Sequence, residues 1–514
     1  MAWLKKYSLN WPAPVYVLLL AAFPVLYLYA YNIAEANFGE VALPLGLCLA
    51  GAVVLWALLT LIMRNARKAG IAIAIFLLFF FTYGRLYEAL ENSGMFVPRH
   101  GYLLPGILFI WCYCVYFISR VKRDFRITTT VLNVVAVALI AINLFNIASH
   151  EIKLARLDTG APEESPAQAP AASNLTELDN LPDIYFIIFD EYAHPDTMKE
   201  WYAYDNSEFI NNLEGKGFFI ASESRTRTPW TPHCLAQVLS GEYITGGFVW
   251  DQNKRAYVFA GNESDGLGPG KAAGTDINFR RIAYSKVADY LKVHGYRHIA
   301  FGNWYSLIRW DSYMEDNTDL YFNYYQEGAT PWITEFQEIL WTTTMVRPFY
   351  YHLAGIKYET AWRRQTTYTL EHLKELPEVE GPKFVFAHIY NPHAALVFGP
   401  EGEHVPSMNW WNFKDKRFYR GQYIYITAEI EKLADALLEK SETPPIIIFQ
   451  SDHGLRPKHP GIVIGPNEWH KILNAMYLPG MDYSEISESI SPVNTFRLIF
   501  NHYFGADYPL LEND

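Results

Sequence analysis

Five apolar stretches crowd into the first 149 of 514 residues, and they constrain the chain more than any later segment does. They run roughly over Trp11–Ile33, Val41–Met63, Gly70–Tyr87, Tyr102–Ser119 and Thr129–Ser149, the third being the shortest. Each approaches the ~20 residues with which a helix crosses the hydrocarbon core. A cleavable signal peptide would account for the first stretch alone. The pattern therefore predicts an integral membrane domain of five helices over residues 1–150.

Orientation follows from the cations. Lys5 and Lys6 precede the first stretch, Arg64, Arg67 and Lys68 follow the second, and Arg120, Lys122, Arg123 and Arg126 follow the fourth. The alternate loops are poorer in cations and carry Glu35 and Glu40, then Arg85, Glu88, Glu91 and Arg99. The positive-inside rule then puts the N-terminus in the cytoplasm. Five crossings leave the C-terminal part outside, giving a multi-pass protein of an inner (cell) membrane. Residues 151–180, with GAPEESPAQAPAAS, lack hydrophobic periodicity and read as a semi-extended linker. Residues 181–514 have the composition of a globular exported domain. A net charge of −12 and the lack of any basic stripe exclude general nucleic-acid binding. Of four cysteines only Cys234 falls in the exported domain, so that domain is expected to hold no internal disulfide.

The exported domain is organised around LPDIYFIIFD, residues 181–190. Six apolar residues, Ile184 to Phe189, read as a strand buried on both faces. It ends on Asp190 and Glu191. PPIIIFQ repeats the design and releases Ser451, Asp452, His453 and Gly454. Two buried strands that deliver such groups at their carboxyl ends predict one site at the edge of an open α/β sheet. Between them lies SESRTRTPWTPHCLAQVLSG, in which Pro229 and Pro232 fit a loop entering a helix, with Thr231 at or near its cap. Helix and strand patterns alternate elsewhere, which favours an α/β sandwich with a mostly parallel central sheet. GLGPGKAAG fails the phosphate-loop spacing, since Ala272 stands where Ser or Thr is required, and reads as a surface loop. Asn174 and Asn262 open glycosylation sequons that have no meaning without the organism.

Asp190, Thr231, Asp452 and His453 come from separate segments that can converge. Oxygen ligands with one imidazole suit Zn²⁺ or Mn²⁺, with Mg²⁺ or Ca²⁺ less favoured. A threonine hydroxyl is a poor nucleophile at neutral pH, and a divalent cation lowers its pKa. Each residue also has a plainer reading. Asp190 caps a helix after a strand, Thr231 is only an N-cap, and Glu191 is a solvated turn residue rather than a second-site ligand. By the same reading His388 is a core histidine on a strand, and His393 stabilises a proline turn. Arg225 would clamp a phosphate or be solvated, and for His459 and His470 a role away from substrate is favoured.

Residues 182–505 resemble the sulfatase/alkaline-phosphatase superfamily, and the whole layout resembles its five-helix membrane branch of lipoteichoic acid synthases and phosphoethanolamine transferases. The matching pieces are DIYFIIFDEY, SRTRTPWTPHCLAQVLSG, FAHIYNPHAALVFGPEG, FQSDHG, ILNAMYLPG and SPVNTFRLIFNHYFG, in that order. The resemblance implies an alkaline-phosphatase-like α/β sandwich with Asp190, Asp452 and His453 as metal ligands. Thr231 would be nucleophile and further ligand, and His388 and His393 would meet the transferred group or leaving oxygen. One departure matters. Formylglycine sulfatases need Cys-x-Pro-x-Arg, and counting ten back from the Gly241 that closes the helix lands on Thr231, with His233 and Leu235 where Pro and Arg belong. Cys234 falls three residues late. The expectation is thus a metal-dependent phosphotransferase that takes a phospho-headgroup from a membrane lipid to an envelope glycan or lipid. The alternatives are hydrolysis of a phosphate or sulfate ester, and a non-catalytic membrane-tethered binding protein.

Overall fold

A computed structural model describes residues 13–33, 36, 38–92, 99–160, 181–244, 247–251, 256–260, 278–302, 310–324, 334–350, 358–405, 415–456, 464–465 and 467–512. The expected linker beyond residue 160, the Gly-rich segment, both sequon asparagines and His459 lie outside these residues, as do Lys5, Lys6 and Glu35. The chain divides into two compact units, Met1–Ala161 with Thr330–Lys357, and Pro162–Ala329 with Tyr358–Asp514.

The first unit contains α1 (Tyr16–Tyr31), α2 (Phe38–Met63), α3 (Ala66–Asn92), α4 (His100–Arg120) and α5 (Arg126–Gly160). Four of them, α2 to α5, are long and apolar enough to cross a membrane. The fifth helix of the expected set, α1, has 16 residues among those described, about 24 Å at the helical rise, against a core of ~30 Å. The third stretch, expected to be the shortest, is instead a helix of 27 residues. Its backbone continues through Arg67, Lys68, Arg85 and Glu88, since hydropathy ends where charge begins but helical hydrogen bonding does not. The helices meet along a narrow seam of Tyr16, Ala21, Ala52, Ala69, Ala72, Ile73 and Ala136. Small residues let backbones approach, as in lipid, where apolar side chains have no other reason to leave the surface. Leu61, Ile62, Phe109 and Ile127 are correspondingly exposed. At one end Arg67 pairs with Asp124 at 3.1 Å and the Lys68 ammonium donates to the Ser119 carbonyl, which brings the two basic turns together.

The domain boundary also differs from expectation. Helix α5 continues to Gly160, and residues 334–350 belong to the membrane unit. Their helix, α11 (Glu335–Thr343), lies against α2 and α3. Pro44 leaves the Glu40 carbonyl without the usual amide donor four residues on, and the Gln337 side-chain amide donates to that carbonyl. A β-carbon at Gly84 would lie 2.1 Å from the Thr342 carbonyl oxygen, so only glycine admits this backbone. Arg347 pairs with Glu88 at 2.8 Å and lies over the Tyr87 ring.

The second unit is built on a seven-stranded sheet in the order β2-β9-β8-β1-β7-β5-β6. Its strands are β1 (Ile184–Phe189), β2 (Phe219–Ile220), β5 (Arg297–Phe301), β6 (Leu320–Phe322), β7 (Lys383–Ile389), β8 (Ile446–Gln450) and β9 (Asn474–Tyr477); β3 (Gly247–Asp251) and β4 (Ala256–Ala260) form a separate hairpin. The sheet is mixed. Strands β8, β1, β7, β5 and β6 run parallel, whereas β9 is antiparallel to both β8 and β2. Central β1 alternates its side chains between two cores. Tyr185, Ile187 and Phe189 meet α6 (Pro195–Tyr202), α7 (Ser207–Gly215), α12 (Tyr358–Leu373) and α13 (Lys416–Lys440). Ile184, Phe186 and Ile188 face α8 (Thr231–Ser240), α9 (Lys286–Val293), α14 (Thr495–Phe504) and Met314 of α10 (Trp310–Asn317). Burial on both faces is why β1 reads as a continuous apolar run.

Candidate functional site

Strands β1, β7 and β8 are adjacent and parallel, so their carboxyl ends release residues into one place. Asp190 follows β1 directly, its amide donating to the Ile389 carbonyl at 2.9 Å. Glu191 turns the chain with φ of 55°, a left-handed conformation that costs a non-glycine residue energy. That turn aims the Glu191 amide at Asp452 Oδ1, 3.1 Å away, and the same oxygen accepts from the His453 amide at 2.8 Å. The His453 ring is oriented through Nδ1, 2.8 Å from the Gly454 carbonyl. A carbonyl can only accept, so Nδ1 carries the proton and Nε2 presents a lone pair. Nε2 is 3.8 Å from Asp190 Oδ1 and 3.5 Å from Asp452 Oδ2. Ligand atoms of Asp190, Asp452 and His453 all lie within 4.8 Å of one another.

Thr231 is the first residue of α8. Trp230 is the N-cap, extended at φ −114°, and makes no side-chain cap, while Pro232 occupies the first turn without loss because its missing amide has no helical partner. The Thr231 side chain does not cap its own helix. It is buried beside Asp452 but forms no hydrogen bond that meets geometric limits. Both Asp190 carboxylate oxygens and Asp452 Oδ2 likewise make no hydrogen bond. Three carboxylate oxygens on side chains buried to 2% exposure or less, left without donors, are costly unless a cation satisfies them. The donor set of carboxylate oxygens, an imidazole nitrogen and a hydroxyl fits one divalent ion.

The electrostatics agree. Burial, then the neighbouring Asp452, pushes the Asp190 carboxyl up to about 7. Burial acts on Asp452 in the same sense, but His453, His388, the Thr231 hydroxyl and the Glu191 amide together hold it below its ordinary value. His388, inside β7, sits with Nε2 3.5 Å from Asp190 Oδ2, and burial lowers its pKa to about 4. His393 arrives on the loop after β7. Its amide donates to the Asp190 carbonyl at 3.1 Å, and its Nε2 lies 3.6 Å from Glu191 Oε2.

The structure thus brings Asp190, Glu191, Thr231, His388, His393, Asp452 and His453 together. Arg225 is exposed and bridges to Lys471 through its backbone. His470 bonds the Thr226 carbonyl through Nδ1 and stacks on Trp469, turned to other work. Cys234 faces into the helix packing and donates to the Thr228 carbonyl, with burial raising its pKa, which is the opposite of an activated thiol. Sequence reasoning missed Arg456, whose guanidinium lies 2.8 Å from His453 Nε2 and whose amide donates to Glu191 Oε1. Its place three residues after His453 was the only available signal.

No protein-family model matches the chain, and no curated protein matches it. Solved structures similar to it include the lipoteichoic acid synthase LtaP from Listeria monocytogenes, at TM-score 0.39 and 11% identity, over 63% of this chain and 72% of that one. The C-terminal periplasmic domain of the phosphoethanolamine transferase EptC from Campylobacter jejuni gives TM-score 0.37 at 11% identity, over 65% and 92%. Phosphonate monoester hydrolase of Agrobacterium radiobacter gives 0.36 at 12%, over 64% and 74%. The function rests on the residues of the site rather than on these likenesses.

Proposed function

We propose that this chain is a membrane-anchored, metal-dependent enzyme that moves a phospho-headgroup from a membrane lipid to an envelope glycan or lipid, with Thr231 as nucleophile. The observation that carries the reading is the buried cluster of Asp190, Asp452, His453 and Thr231, four of whose oxygens make no hydrogen bond. Asp190, Asp452 and His453 would hold a divalent ion, Zn²⁺ or Mn²⁺ by donor type. Bound there, the ion would supply Lewis acidity toward the phosphoryl oxygens and a lower pKa for the Thr231 hydroxyl.

The chain's own residues do the rest. Thr231 Oγ1 attacks phosphorus as the ester bond breaks, and its proton has the Asp452 carboxylate beside it. His393, whose ring is 16% exposed and whose Nδ1–H is held by the Ala394 carbonyl, gives a proton from Nε2 to the leaving alcohol when the ring is doubly protonated. Buried His388 stays neutral, so its ring can polarise or orient without adding charge. An acceptor hydroxyl then takes the group from Thr231 and frees the side chain. Holding the site on a bilayer-anchored chain raises the local concentration of a lipid donor.

The test is a peptide mass spectrum across Thr231 of full-length protein isolated from its own membranes, with Thr231→Ala as control. A phosphorus-containing adduct on Thr231, absent from the control, is the expected result, and its mass identifies the transferred group. A bare Thr231 in metal-loaded protein would turn the reading toward hydrolysis, with water as acceptor. Protein that retains neither Zn²⁺ nor Mn²⁺ would sink both.

A further inference from the structure

One face of α13 reaches both loops that build the site. Tyr419, Gln422, Tyr423 and Thr427 follow the i, i+3, i+4, i+8 spacing of a single helical stripe, and each is buried to 5% exposure or less. An ordinary core stripe would be apolar. These four spend their polar atoms on backbone and side chains next to the site.

The Tyr419 hydroxyl donates to the Glu191 carbonyl at 2.7 Å and accepts from the Ala193 amide at 3.2 Å. It therefore brackets Tyr192, whose hydroxyl meets Thr427 Oγ1 at 2.6 Å and whose ring stacks on Tyr423. Tyr423 adds a bond from its hydroxyl to the Ala193 carbonyl at 3.0 Å. Residue 191 is the one in the left-handed conformation that points its amide at Asp452 Oδ1. Gln422 serves the other loop. Its Oε1 accepts from the amides of Val397 and Phe398 at 2.9 and 3.2 Å. The two N–H groups of its Nε2 are shared among the carbonyls of Pro392, His393 and Ala395 at 3.0, 3.0 and 3.2 Å. A fully satisfied buried polar group of this kind fixes one backbone arrangement, because every alternative leaves it unpaired.

We propose that Tyr419 and Gln422 are positioning residues. Tyr419 registers the Asp190–Glu191 turn against Asp452, and Gln422 registers the backbone that carries His393. A single helix face thereby sets the metal-binding half of the site against the half that faces the transferred group. The inference rests on the reading that Asp190, Asp452 and His453 hold a divalent ion.

The test uses full-length protein in detergent and two readouts that need no substrate. The first is Zn²⁺ affinity by competition with a fluorescent chelator. The second is the rate of diethyl pyrocarbonate modification at His393, followed by peptide mass spectrometry with His502 as internal reference. Tyr419→Phe keeps the ring against Tyr202 and Tyr423 and is expected to weaken Zn²⁺ binding about tenfold or more. Gln422→Met is expected to leave Zn²⁺ affinity within about twofold and to speed His393 modification several-fold, because the loop loses its fixed geometry. Leu433→Ala, a buried apolar truncation on the same helix, should lower the melting temperature and move neither readout. If Tyr419→Phe does not accumulate, Tyr423→Phe removes the hydroxyl on the Ala193 carbonyl and is read in its place. Wild-type Zn²⁺ affinity in the tyrosine variant, or the same two changes in Leu433→Ala, overturns the inference alone. Wild-type protein that binds neither Zn²⁺ nor Mn²⁺ overturns the metal-centre reading and this inference with it.

Discussion

A β-carbon at Gly454 would lie 2.3 Å from the Lys471 carbonyl oxygen and 2.5 Å from that of Glu468. Both are backbone atoms, and the Gly454 amide is itself committed to the Trp469 carbonyl at 2.8 Å. The turn that delivers Asp452 and His453 thus has no room for even the smallest side chain. Gly454→Ala is expected to shift that turn, lowering Zn²⁺ affinity at least tenfold and stability by about 1–3 kcal/mol. Chelator competition and urea unfolding measure the two, and wild-type affinity in the variant would refute this account of the turn. At this scale the groups that face the site were legible, because a carboxylate or imidazole at the end of an apolar run has few other uses. The groups behind them were not. Gln422 and Tyr419 sit in a helix whose pattern reads as ordinary amphipathic surface and core, and their partners lie up to 228 residues away. Nothing local marks a glutamine whose whole side-chain amide serves one loop elsewhere in the chain.

Strands β1 and β8 were legible because burial on both faces forces an unbroken apolar run, and a run that short cannot be a membrane span. Helix lengths were less so. Hydropathy measures what a segment wants around it, whereas the backbone of α3 continues through charged residues at both ends and that of α1 stops early. The direction of β9 was not legible either, since four residues carry no signal of their polarity. Strand β5 carries a further consequence. His298 is 2% exposed, with Nδ1 3.2 Å from the Asn317 carbonyl and its ring stacked on Phe384, and burial lowers its pKa to about 4. A histidine with a depressed folded value binds its proton more tightly when unfolded. Its contribution is complete above the unfolded value of ~6.5 and is lost as pH falls from there toward about 4. The loss amounts to about 2 kcal/mol at pH 5 relative to pH 7. Urea unfolding at both pH values should show it, and His298→Gln should flatten the slope. An unchanged slope in the variant would mean that other groups set the acid sensitivity.

The membrane unit is completed by a later segment of the chain. Residues 334–350 come from the exported part of the sequence, yet they pack in the membrane unit near Glu40 at the start of α2 and Glu88 toward the end of α3. A helix of nine residues is too short to cross a bilayer, so it marks one end of the membrane helices. The basic turns occupy the opposite ends of the same helices, drawn together by Arg67 with Asp124 and by Lys68 with the Ser119 carbonyl. Basic turns at that end fit the sequence expectation that they face the cytoplasm. A variant with Cys48, Cys112, Cys114 and Cys234 replaced, carrying either Asp124→Cys or Glu223→Cys at an exposed position, tests this in intact cells. A membrane-impermeant maleimide should label the residue at 223 at once and the residue at 124 only after permeabilisation. Immediate labelling at 124 would invert the membrane unit, and the metal cluster would then face the cytoplasm. No envelope acceptor could reach it there, so the transferase proposal stands or falls with this orientation even if Thr231 proves to be the nucleophile.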